Sequence, residues 1–213
     1  MIKKLGIFTF VVFVVFFLLF FYKGNVANEY SLKLSSPSTI EAVRDSLRAH
    51  SVIENNYIFD LVHLIYDVKS VPAGHYKFRK SMTSLDILRK LKYGRQDPIR
   101  WTISTATFVE ELAGKAAEKL EMDSQDFMTV LYDSMQLRQR GYSKENALAL
   151  FLPNTYEIYW NTSPEDLLTK ISEEGMRAYF NKASADTKLD LAPLMEAMNE
   201  VMQGLRGNEF GQR

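Results

Sequence analysis

Cysteine is absent from the 213 residues, which excludes a disulfide framework and a thiolate metal site and leaves an apolar core to hold the fold. Histidine is scarce. His50, His63 and His75 stand singly, with no second histidine or carboxylate at metal spacing on a common face, so they read as surface or satisfied side chains. The chain has no Gly-rich phosphate loop, no G-x-S-x-G and no internal repeat, which excludes the nucleotide-binding, α/β-hydrolase and solenoid classes. Charge of either sign is not in excess either: 26 basic side chains balance 26 acidic ones, so no large field steers nucleic acid toward the protein. Neither a metal nor a cofactor is expected.

One long hydrophobic run is present. Met1-Ile2-Lys3-Lys4 precedes an uncharged stretch from Leu5 to Tyr22 dominated by Phe, Val and Leu. About 18 residues at about 1.5 Å each reach roughly 27 Å, close to the hydrocarbon thickness of a bilayer. The run leads to Phe20-Phe21-Tyr22-Lys23 rather than to the small residues of a cleavage site. Residues 1–23 are therefore expected to be a cytoplasmic tip and a retained transmembrane helix. The lysines before the run place the amino terminus in the cytoplasm and the bulk of the chain outside, as in a single-pass protein of the cytoplasmic (inner) membrane.

The remaining sequence predicts an α+β fold. Residues 24–29 read as a polar linker and Tyr30 to Leu34 as a strand. A capping box over Ser38-Thr39-Ile40-Glu41 opens a helix with Ile40, Val43 and Leu47 on one face. Asn55 or Asn56 caps a second helix carrying Ile58, Leu61, Val62 and Ile65 toward a core. Val71 to Gly74 is a turn, His75 to Phe78 a strand, and Thr83 with Asp86 begins a helix that Gly94 stops. Beyond this small module, Pro98 to Ser104 is expected as a strand, followed by helices at Thr107 to Leu120 and near Ser124 to Met135.

The densest signal lies at Phe151 to Pro164. Pro153-Asn154 is a turn pair, Tyr156, Ile158 and Trp160 alternate with Glu157 and Tyr159 as in a strand with two different faces, and Ser163-Pro164 with Asp166 starts a helix. Phe151-Leu152-Pro153-Asn154-Thr155-Tyr156 resembles the "F-x-P-(D/N)-T-Y" signature of the endolytic murein transglycosylases, the YceG-like or MltG-type family. Upstream, Ala73-Gly74-His75-Tyr76-Lys77-Phe78, Met82-Thr83, Ile87-Leu88, Leu91 and Gly94-Arg95-Gln96 are similar to that family's "A-G-x-Y … M … I-L … L … G-x-Q" phrase. The resemblance covers Tyr30 to Pro193 and departs at Ser104-Thr105-Ala106, where many relatives carry Pro-Glu-Gly.

The resemblance implies a LysM-like module at 30–96, the N-terminal part of a transglycosylase-type domain at 97–193 and a divergent tail at 194–213. It also implies a substrate-binding wall of Phe151, Pro153, Asn154, Thr155 and Tyr156, with peptidoglycan glycan strands as partner and the membrane and cell-wall synthesis proteins as further partners. Nascent strands would be cut to 1,6-anhydro-MurNAc ends. That chemistry needs a carboxylic acid kept protonated near neutral pH, and in the family the acid is a glutamate in a phrase like "L-A-S-I-V-E-x-E-T" after an "L-x-P" that Leu191-Ala192-Pro193 matches.

At family spacing the glutamate positions fall near Gly204 and Arg206, so no catalytic residue is assigned. Glu196, Glu200, Glu145 and Glu157 are poor substitutes. A truncation or frame shift after about Pro193 is the expectation, which would leave the aromatics of the signature strand, Tyr156, Tyr159 and Trp160, partly uncovered. Two readings stay open: a transglycosylase lacking its acid, and a non-catalytic, membrane-tethered peptidoglycan-binding or scaffold protein.

Overall fold

Local signals start most of the helices. The computed structural model describes residues 6–13, 24–104, 108–140, 142–187, 193 and 196, and the chain divides into two units, residues 1–97 and 98–213. In the first, residues 6–13 form helix α1. The expectation of a transmembrane helix over Leu5 to Tyr22, and of a single-pass membrane location with it, is overturned. Among the described residues no helix is long and apolar enough to cross a membrane. Residues 14–23 of the apolar run lie outside the described residues.

Strand β1 (Tyr30–Leu34) leads through β2 (Ser38–Thr39) to α2 (Ile40–Ala49). Thr39, not Ser38, is the cap, its hydroxyl accepting from the Ala42 N–H, since the helix starts at Ile40 after Ser38 and Thr39 have paired with β3 (Ser70–Val71). Asn55 caps α3 (Asn56–Tyr66) by accepting from the Ile58 N–H at 3.1 Å. Thr83 and Asp86 form a complete capping box on α4 (Ser84–Lys92), satisfying two helix-end donors reciprocally. β4 (Gly74–Phe78) pairs antiparallel with β1, Leu32 facing Tyr76.

Gly74 has φ +145, a backbone angle that requires glycine, and a Cβ there would push the Gln96 side chain aside. The core joins Ile40, Val43, Leu47, Phe59, Val62, Tyr76, Phe78, Ile87, Leu88 and Leu91. On α3 only Phe59 and Val62 are fully buried, while Leu61 and Ile65 remain exposed at 42% and 73%. The expected inward face of that helix was therefore rotated, because its apolar residues run around most of its circumference.

Two polar networks brace this unit. The buried Asn25 amide donates to the Asn55 carbonyl and to Ser84 Oγ and accepts from the Asn55 N–H. Asp97 receives Lys90 Nζ and the Lys77 N–H, each at 2.6 Å.

The second unit begins with β5 (Ile99–Ile103), followed by α5 (Val109–Lys119) and α6 (Ser124–Leu131). The single helix expected near Ser124 to Met135 is two: Asp133 accepts from the Met135 and Gln136 N–H groups and starts α7 (Ser134–Gln139). A 3-10 turn at Ala147–Leu150 leads into β6 (Asn154–Ile158), and α8 runs from Pro164 to Thr187. β5 and β6 pair antiparallel, Trp101 opposite Tyr156 and Thr102 opposite Thr155. Their inner faces pack Trp101, Ile103, Tyr156 and Ile158 into one core with Leu112, Phe127, Phe151, Leu167, Leu168 and Ile171. The protein is thus α+β, with three two-stranded sheets among the described residues.

Candidate functional site

The signature segment is mostly structural in its placement. Phe151 and Tyr156 are buried, Phe151 edge-on to Phe127, while Pro153 and Thr155 are exposed and Asn154 is half-buried. Asn154 Oδ1 accepts from the Thr155 N–H at 2.8 Å, and the Thr155 and Thr102 hydroxyls meet at 2.9 Å on the outer face of the sheet. Tyr156 donates its hydroxyl to the Leu152 carbonyl at 2.8 Å. Burial, with the charge of Glu174 adding to it, pushes the phenol up to about 12, so this hydroxyl is a donor fixed in the turn and not a titrating group. The expected exposure of the strand's aromatics is corrected: Tyr156 is fully buried and Trp160 is 9% exposed, leaving Tyr159 at 52%. The cover comes from α8, which crosses the Tyr156 hydroxyl at Gly175.

The strand delivers the chain to an open cleft of about 460 Å³ on the second unit. Its near wall is the turn after β6, with Tyr159, Asn161 and Thr162. The turn is held by the Glu121 N–H on the Trp160 carbonyl at 2.8 Å and by the Thr162 N–H on the Tyr159 carbonyl at 3.1 Å. Its far wall is one stripe of α8: Asp166, Lys170, Glu173, Glu174 and Arg177, spaced so that they share a helix face.

Asp166 is committed to the helix start, where it accepts from Ser163 Oγ at 2.9 Å while its own N–H donates back at 3.1 Å. Lys170 pairs with Glu174 at 3.2 Å. An exposed ring, an amide, a hydroxyl and charges of both signs suit a polyhydroxylated ligand, and the volume lies in the usual range for small-molecule sites, about 300–1,000 Å³. None of Phe151, Pro153, Asn154, Thr155 and Tyr156 lines this cleft. The motif reading also missed Lys170, Glu173, Glu174 and Arg177. The only sequence signal for them was a charged stripe at helical spacing, which any solvated helix face shares.

The described carboxylates singled out in the sequence, Glu145, Glu157 and Glu196, do not line this cleft. Glu157 is exposed on β6, with Arg100 at 3.9 Å. Glu145 is held below the usual carboxylate range by a hydrogen bond from Ser143, with its own backbone N–H second, the reverse of what a general acid needs. Glu196 is exposed; Glu200, Gly204 and Arg206 lie outside the described residues. No group of His, Asp or Glu among the described residues could hold a metal ion.

An α+β chain with a polar, aromatic-edged cleft beside a Pro-Asn-Thr-Tyr strand is the class these observations define. The YceG-like family model matches residues 32–202, and the chain belongs to that family. The match runs past Pro193, where the motif resemblance ended. A solved structure of a yceG-like protein from Listeria monocytogenes is also similar, with 16% sequence identity, 76% of this chain and 60% of that chain covered, and a TM-score of 0.37. The chain therefore spans 60% of the length of that relative. No curated protein matches it.

Proposed function

We propose that this chain engages uncrosslinked peptidoglycan strands, the substrate class of the MltG-type endolytic transglycosylases, and that residues 1–213 by themselves cleave them little or not at all. The observation that carries the reading is the family match across residues 32–202, which takes in both the LysM-like phrase around Tyr76 and the signature at Phe151 to Tyr156. The inactivity follows from chemistry. Departure of the glycan oxygen needs a proton, and the phrase that carries the family's glutamate has no counterpart in the 213 residues. The carboxylates of the α8 cleft are engaged rather than poised, Asp166 by Ser163 and Glu174 by Lys170.

Purified, peptide-free glycan strands incubated with the full chain should bind and yield no 1,6-anhydromuramyl ends by mass spectrometry. Turnover abolished by Glu173→Gln or Glu174→Gln would refute the missing acid and move catalysis into the cleft. Absence of both binding and products would refute the glycan reading as a whole. Retention on insoluble peptidoglycan without any products supports the scaffold version of the same reading.

A further inference from the structure

We infer that the cleft along α8 is a binding site for a pyranose glycan bearing a carboxylate, with Arg177 as the residue that selects the carboxylate. This deepens the glycan reading above and rests on it. Most charges lining the cleft already have partners. Asp166 is tied to Ser163 at 2.9 Å, and Lys170 to Glu174 at 3.2 Å. Glu173 also has a partner. Arg177, exposed at the end of the same stripe, has no ion pair or hydrogen bond among the described residues.

An arginine left unpaired on a cleft wall presents a planar fork of donors that matches a carboxylate with two parallel hydrogen bonds. Across the cleft stands Tyr159, whose ring is 52% exposed although its neighbours in sequence, Ile158 and Trp160, are buried. Such a ring offers a flat apolar face to the C–H face of a sugar, with its hydroxyl end still in water. Asn161 and Thr162 beside it supply donors and acceptors for ring hydroxyls or an acetamido group. Aromatic platform, neutral hydrogen-bonding pair and unpaired guanidinium together describe a sugar with one anionic substituent.

Two sources would supply that carboxylate: the lactyl ether of a muramyl residue itself, or the first residues of a peptide stem attached to it. Isothermal titration of the full chain distinguishes them, with four probes of equal length: chitotetraose, the peptide-free GlcNAc–MurNAc tetrasaccharide, its methyl amide, and the tetrasaccharide carrying L-Ala–D-Glu stems. The carboxylated probes should bind about tenfold tighter than the neutral ones, the scale of one charge-assisted bidentate contact. The lactyl source predicts preference for the peptide-free acid, the stem source preference for the stem-bearing probe.

Arg177→Gln should erase the preference and leave chitotetraose binding unchanged. Tyr159→Ala should weaken neutral and acidic probes alike. Equal affinity for neutral and carboxylated probes, or a preference that survives Arg177→Gln, overturns the inference. Failure of every soluble probe while the full chain still pellets with insoluble peptidoglycan overturns the cleft and spares the glycan reading; failure of both defeats the two together.

Discussion

Gly175 is where the signature strand and α8 come closest, and replacing it with alanine tests the packing that forms the cleft. A Cβ at this position would lie 2.9 Å from the Tyr156 hydroxyl oxygen and 3.4 Å from Leu152 Cβ. The hydroxyl has little room to retreat, because Tyr156 is fully buried and its hydroxyl is bonded to the Leu152 carbonyl at 2.8 Å. Against this, alanine in a helix interior is favoured over glycine by about 1 kcal/mol. Overpacking in a filled core costs about 1–3 kcal/mol, so the crowding outweighs the propensity and Gly175→Ala should destabilise the second unit by about 1 kcal/mol.

For a unit of this size that is a fall in Tm of about 4 °C, readable by circular dichroism. Tyr156→Phe alone should cost about 1 kcal/mol by leaving the Leu152 carbonyl without its donor. In the double variant the clashing oxygen is gone, so the two penalties should not add, and the cycle should return about 1 kcal/mol of coupling. A Gly175→Ala protein that melts at or above the wild-type temperature, or strictly additive penalties, would refute the close packing of α8 on this strand.

Asp97→Ala removes the acceptor for Lys90 Nζ and the Lys77 N–H; breaking this nearly buried pair should cost the first unit about 2–3 kcal/mol by urea titration, and an unchanged midpoint would show the pair to be idle. The Asp97 carboxyl itself is pulled up by burial, but the Lys90 and Lys77 hydrogen bonds outweigh that and hold it below the usual range, so its contribution should fade only as pH falls through the acid range and be absent from Asp97→Ala. His75 shifts in the same direction for a different reason: burial lowers its pKa against the raising effect of the Asp97 carbonyl, with Lys77 adding to the lowering. The unfolded chain then takes up the proton first, so the first unit should lose stability as pH drops below about 6.5 and level off beneath the folded pKa; a slope that persists in His75→Gln would assign it to another group.

Much of the secondary structure was legible because its causes are local. The Thr83–Asp86 box, the Asn55 cap and the Ser163-Pro164-Asp166 helix start each place donor and acceptor within three residues, so the residue types alone specify them. The alternation of Tyr156, Ile158 and Trp160 likewise gave the inner face of β6. What failed depended on neighbours distant in sequence. Ser38 pairs with Val71 and the helix starts only at Ile40, which puts Thr39 in the cap position. The face α3 buries was not readable from a helix carrying Tyr57, Ile58, Phe59, Leu61, Val62, Leu64 and Ile65, since apolar residues on every side leave no period to follow. The transmembrane expectation rested on run length, hydropathy and flanking lysines, and among the described residues no helix is long and apolar enough to cross a membrane.

The signature's residues make better sense as the frame of a site than as its lining. Phe151 anchors the turn in the core against Phe127, and Tyr156 spans from the strand to the Leu152 carbonyl beneath α8. The Thr155–Thr102 contact fixes the register of β6 on β5, and a one-residue slip there would send Tyr156 and Ile158 to the solvent face. Register in turn determines that Tyr159 points outward as the strand ends, while Trp160, through its carbonyl and the Glu121 N–H, holds the turn against the α5–α6 connection. Only with that turn in place does the charged stripe of α8 face a wall instead of open water. The stripe is therefore ambiguous in the sequence and becomes a cleft in the fold, because the residues that enclose it are supplied by the end of a strand whose own conspicuous side chains are buried.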